Sequence, residues 1–180
     1  MIRFFDDFPR DYEVALEPEV ETATSQVEFG TVGADGPVHL LVQIVPYSGR
    51  PWVGLFRGGA LSRNAATGVY SWPDPGRLGV FCSGRGYLVR SNEPSDFEEL
   101  GSGLVTQVMT IPERGKVLLA DPWEVQAFGS AGLEWRTGRI SVEGLNLTGV
   151  RDGTVEGTVE RGSGPVALRI DLRSGQSSVG

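Results

Sequence analysis

The stretch TVEGTVERGSGPVALRIDLR, residues 154–173, alternates apolar and polar side chains twice over. Val166, Leu168, Ile170 and Leu172 fall on one face, with Ala167, Arg169, Asp171 and Arg173 on the other, which is the period of a half-buried strand. Just upstream, Val155, Gly157 and Val159 alternate with Thr154, Glu156, Thr158 and Glu160. Arg161-Gly162-Ser163-Gly164 lies between the two runs and supplies a turn, so the whole reads as a β-hairpin.

The same period recurs along the chain. Val38, Leu40, Val42 and Ile44 share a face opposite His39 and Gln43; Leu78, Val80 and Cys82 form another run, followed by a Ser83-Gly84 turn and a strand from Tyr87 to Arg90. Further strands are expected around Val105, Met109 and Ile111, at residues 117–119 and at 123–128. In GLEWRTGRISVEGLNLTG, residues 132–149, Leu133 and Trp135 are expected to point one way and Glu134 and Arg136 the other. Ile140 and Val142 then share a face, and the parity shifts at Leu145 and Leu147 as at a bulge. Glycine at 26 residues and proline at 11 fall between these runs as turn signals.

About ten to thirteen strands with turns every 8–12 residues or so predict an all-β fold of antiparallel sheets. A β-sandwich and a propeller-blade-like sheet pair both fit. One short helix is expected at most, over Ser95–Leu100, where Ser95 and Glu98 form a capping-box pattern and Gly101 can end it. Residues 1–36 read as an acidic arm or an edge strand centred on Tyr12, Val14 and Leu16. Residues 37–180 read as one β domain, divisible into two packed sheets at about 37–112 and 113–180. Residues 62–68 read as a loop. VFCSGRGYLVRS at 80–91 and QAFGSAGLEWRT at 126–137 are weakly alike, each a strand, a turn and a strand with an aromatic.

The run Ala127-Phe-Gly-Ser-Ala-Gly-Leu-Glu-Trp-Arg-Thr-Gly-Arg-Ile-Ser-Val-Glu-Gly-Leu145, then Gly-Thr-Val-Glu-Gly-Thr-Val and the closing Asp-Leu-Arg-Ser-Gly, resembles a family of uncharacterised bacterial all-β proteins from high-GC genomes. The resemblance covers about residues 77–175. It implies a β architecture and a bacterial origin, and it carries over no activity and no site residue.

The formal charge is −7, and it is uneven. Residues 1–30 hold eight acids against Arg3 and Arg10, whereas the remaining 150 residues are almost neutral. Such a segment repels phosphate backbones, so nucleic acid is not the expected partner; another protein with a basic surface is. No apolar run reaches the roughly 18 residues that cross a membrane, and no signal-peptide pattern opens the chain. With Cys82 as the single cysteine, a cytoplasmic location is expected.

Catalytic signatures are sparse. His39 is the only histidine and lies in a strand, Cys82 shares a face with Leu78 and Val80, and no Gly-x-Ser-x-Gly elbow occurs. One His and one Cys make no metal centre at a recognised spacing, so neither metal nor cofactor is expected. Tyr47, Arg50, Trp52, Arg57, Tyr70, Trp72 and Asp74 fall within 28 residues, and they are of types enriched at protein interfaces. With Asp6, Asp7 and Asp11 of the acidic segment, they form the expected partner-binding set.

The leading expectation is therefore a non-enzymatic protein-interaction module, of which a bacterial immunity or antitoxin-like protein binding a basic partner is one form. A carbohydrate or small-ligand binding protein, or a carboxylate-based glycosidase stacking its substrate on Trp52, Trp72 or Trp123, is the first alternative. A structural subunit of a homo-oligomer is the second.

Overall fold

The computed structural model describes residues 2–18, 25–30, 39–59, 64–101 and 104–180. The described residues form seventeen strands and a single 3-10 turn, Pro112–Arg114. The all-β expectation holds, with more and shorter strands than periodicity alone resolves. No helix among them is long and apolar enough to cross a membrane. Val38, Ser62 and Arg63, read above as strand or loop, lie outside the described residues.

The chain divides into two compact units, Met1–Leu104 and Val105–Gly180. In the first, a five-stranded sheet has the order β1-β6-β7-β8-β9, built from β1 (Phe4–Phe5), β6 (Gly68–Ser71), β7 (Arg77–Cys82), β8 (Arg85–Arg90) and β9 (Glu93–Leu100). A four-stranded sheet has the order β2-β4-β5-β3, from β2 (Tyr12–Leu16), β3 (Ser25–Phe29), β4 (His39–Pro46) and β5 (Trp52–Arg57). Val42, Ile44, Trp52 and Phe56 from the second sheet share one core with Leu78, Val80, Cys82, Tyr87 and Val89 from the first, as in a sandwich. Pairing is antiparallel except at two edges, where β1 runs parallel to β6 and β3 parallel to β5.

Of residues 1–36, read as an acidic arm or an edge strand, the described parts contribute β1, β2 and β3 to the sheets of this unit. β2 is an edge strand paired with β4 from Tyr12↔Pro46 to Leu16↔Val42, and Tyr12 is fully buried. The segment 93–100 is a strand and not a helix. Its Glu98, Glu99 and Leu100 pair with Leu88, Tyr87 and Gly86, and a bulge takes up the residues between Glu93 and Phe97. Cross-strand pairing and the edge-on contact of Phe97 with Phe29, 5.1 Å between ring centres, outweigh a local capping pattern too short to nucleate on its own.

The second unit contains two up-and-down sheets of four strands. The first runs β10 (Gln107–Ile111), β11 (Lys116–Ala120), β12 (Val125–Gly129), β13 (Gly132–Arg136), and the second β14 (Leu145–Arg151), β15 (Thr154–Val159), β16 (Val166–Asp171), β17 (Ser177–Val179). Leu118, Val125, Ala127 and Trp135 pack in one core with Leu147, Val155, Leu168 and Ile170. The boundary falls before β10, earlier than 112/113, because β10 pairs with β11 along its whole length from Gln107↔Ala120 to Ile111↔Lys116.

Two bulges rewrite the parity of residues 132–149. At Ala127/Phe128 the register with β13 shifts, so Trp135 is buried while Leu133 stays 44 % exposed. Residues 137–144 are not a strand, and Val142 is exposed and not paired with Ile140 on a sheet face. The second bulge, between Leu147 and Gly149, opposes two residues to one on β15. The turn joining β14 to β15 is Asp152-Gly153, with φ of 49° and 76°, as a two-residue type I′ hairpin demands.

Candidate functional site

The structure separates the expected partner-binding residues into two groups. Trp52, Tyr70 and Trp72 are 3 %, 8 % and 1 % exposed, which removes them from any surface and corrects their reading as contact residues. Each satisfies a core role. Trp52 packs on Phe29 and donates its Nε1–H to the Ser91 carbonyl at 2.7 Å. Tyr70 stacks on Phe5 at 4.5 Å and meets Phe81 edge-on. Burial of so much ring area outweighs the amphipathic preference that places Tyr and Trp at interfaces. Arg57 is half-buried on β5 and bonds Glu28 of the neighbouring β3 at 2.6 Å.

The other group gathers at one end of the first unit, where the segment before β2, the β4–β5 loop, the β6–β7 loop and the Ser91-Asn92 turn meet. Asp11 is the hub: its N–H donates to the Pro75 carbonyl at 3.1 Å, its own carbonyl accepts from Tyr47 N–H at 2.8 Å, and its carboxylate accepts from Ser91 Oγ at 3.1 Å. Tyr12 Oη reaches the Arg77 carbonyl at 2.9 Å. Around this frame lie two charged clusters. Arg10 bonds Asp6 at 2.8 Å and Glu13 at 3.0 Å, and it also donates to the Tyr12 carbonyl. Glu13 in turn accepts from Tyr47 Oη at 2.9 Å. In the second cluster Arg90 bonds Asp96 at 2.7 Å, and Arg77 reaches Asp96 and Glu98 at 3.4 Å; both arginines approach Asp74 at 3.8 Å.

The electrostatics follow from these contacts. The Arg90 hydrogen bond holds the Asp96 carboxyl below its ordinary value, with Arg77 adding to the effect. Tyr47 and then Arg10 lower Glu13, and the reciprocal bond raises the Tyr47 phenol. Tyr47 remains 65 % exposed while pinned in this way, and Arg50 is exposed in the same β4–β5 loop. Asp6 and Asp7 are exposed on the approach to β2.

Arg10, Glu13, Arg77, Arg90, Ser91 and Asp96 complete the site and escaped the sequence reading. Asp74 is a site residue in the sequence reading, but Asp96 and Glu98 are recognisable as its neighbours only once residues 93–100 are read as a strand.

Neither the single cysteine nor the single histidine belongs to these clusters. Cys82 is fully buried, and burial pushes its thiol up to about 11. His39 opens β4 on an exposed position. Among the described residues no group of three or more His, Cys, Asp or Glu side chains is placed to hold a metal ion. No protein-family model matches the chain, and no curated protein is significantly similar to it.

Proposed function

We propose that the chain is a non-enzymatic protein-interaction module that receives a partner with a basic surface on the charged end of its first unit. The observation that carries this reading is Tyr47: an exposed aromatic ring fixed by Glu13, which Arg10 holds in turn. A rigid aromatic loses little freedom on binding, and Tyr and Arg are the residues that dominate interface energies. The two clusters joined through Asp11 hold six carboxylates, Asp6, Asp11, Glu13, Asp74, Asp96 and Glu98, against Arg10, Arg77 and Arg90, with Arg50 in the Tyr47 loop, so the surface is negative on balance and presents both signs of charge. Exposed ion pairs add little to stability. Their gathering at the end of the unit that also carries an exposed, pinned tyrosine therefore favours recognition over stabilisation.

An immunity or antitoxin-like protein, in which an acidic chain neutralises a basic effector, is one instance of this reading. The carbohydrate alternative is weakened, since two of the three tryptophans it takes as platforms, Trp52 and Trp72, are buried, while Trp123 is half-buried. The test is affinity capture from the native cell with the wild-type chain and with Tyr47→Ala, whose side chain lies outside the core. A single stoichiometric basic partner is expected, released by moderate salt and bound at least about tenfold more weakly by the variant. Recovery of the chain alone, as a monomer or as copies of itself, or capture that Tyr47→Ala leaves unchanged, would overturn the proposal.

A further inference from the structure

The second unit contains a cleft of about 350 Å³ between the end of its 3-10 turn and two hairpin ends of the β14–β17 sheet. Its floor is Leu172, 4 % exposed and fixed on both sides: its N–H donates to the Gly153 carbonyl at 2.9 Å, and its carbonyl accepts the Trp135 Nε1–H at 2.9 Å. Three cations line the cleft, Arg114, Lys116 and Arg173. Lys116 is paired with Glu134, whereas Arg114 and Arg173 make no ion pair within 4 Å among the described residues, although Arg173 is near enough to help Ser174 hold the Asp171 carboxyl low. Two carboxylates line it as well. Asp171 is anchored by the Ser174 N–H and Oγ, each at 2.7 Å, and Asp152 stands at the tip of the β14–β15 turn with its side chain 97 % exposed.

We propose that this cleft binds a small phosphorylated polyol, the phosphate taken by Arg114, Arg173 and Lys116 and the hydroxyl groups by Asp152 and Asp171. A guanidinium matches two oxygens of an anion in a fixed fork. Two unpaired guanidinium groups with a lysine suit a dianion with three free oxygens better than a carboxylate with two. The acids repel a bare anion and at the same time accept hydrogen bonds from hydroxyl groups, so the mixed lining selects a ligand that carries both. The volume is at the small end of the range of about 300–1,000 Å³ for small-molecule sites. This cleft and the charged end of the first unit lie in different units, so the two proposals stand or fall separately.

The test is a titration of the full 15N-labelled chain with ribose 5-phosphate, beside ribose and inorganic phosphate, at a pH of about 7.5 where the phosphate is mostly dianionic. Saturable shifts of the Gly153, Leu172 and Arg173 amides are expected, with affinity at least about tenfold above that for ribose or inorganic phosphate. Arg114→Gln and Arg173→Gln, both exposed, should each weaken binding by about tenfold or more, and Arg161→Gln, outside the cleft, should not. Absence of saturable shifts, shifts centred elsewhere, or wild-type affinity in both cleft variants overturns the site. Equal affinity for inorganic phosphate overturns the polyol.

Discussion

Gly175 shows how tightly single residues are specified in the second unit. Its φ is 72°, and a Cβ there would come within 2.7 Å of the Trp135 ring, whose Nε1 is already committed to the Leu172 carbonyl. Gly175→Ala therefore meets two costs, a left-handed backbone for an L-residue and overpacking against a ring that cannot retreat. A loss of about 2–4 kcal/mol in urea unfolding is expected from the two together. Gly153, with φ of 76° but nothing within 4 Å of its position, isolates the first cost, so Gly153→Ala should lose only about 1–2 kcal/mol. Similar losses in the two variants would show that the Trp135 ring yields.

Among elements, β9 is the most instructive. Its bulge returns Asp96 towards Arg90 and Arg77, and the ion pairs hold the carboxylate in its charged form. A carboxyl held low contributes fully above its ordinary value, and the contribution fades as the pH falls through its lowered midpoint. The Asp96 carboxyl carbon should accordingly titrate below 3.8, and in Arg90→Gln its midpoint should rise towards that value. An unchanged midpoint in the variant would assign the effect to another group. The same element marks the limit of what periodicity reveals. The hairpin at 154–171 was legible because its apolar face and its turn agree, with Arg161 and Gly164 closing the turn by reciprocal hydrogen bonds. Leu78, Val80 and Cys82 were legible for the same reason. Residues 93–100 and 132–149 were not, because bulges break the period of two and only a partner strand reveals where. The site was half legible: Tyr47, Asp11 and Asp74 converge, but residue type alone cannot separate a tryptophan for the core from one for the surface.

At the scale of the whole molecule, each unit has its own core cluster, one between the two sheets of residues 1–104 and one within residues 105–180. Leu168 is 1 % exposed in the second. Leu168→Ala should cost about 2–5 kcal/mol by removing a buried branched side chain. Hydrogen exchange should show where that cost falls, with amides of Val155 and Ile170 accelerated and those of Leu78 and Val80 changed far less. Equal acceleration in both sets would mean that the two cores open as one cooperative body.

The pairing of β1 with β6, and of Tyr12 with Arg77, carries a consequence for the nascent chain. The segment Phe4 to Leu16 finds its partners only after residues 39–46 and 68–77 have been made, so its aromatic and acidic side chains wait without a sheet during synthesis. Every strand of the second unit, by contrast, pairs with the strand made immediately before or after it, and its sheets can close about as fast as they are translated. The first unit therefore matures late although it is made before the second, and Phe4 to Leu16 are the residues most exposed to proteases and to mispairing in the interval.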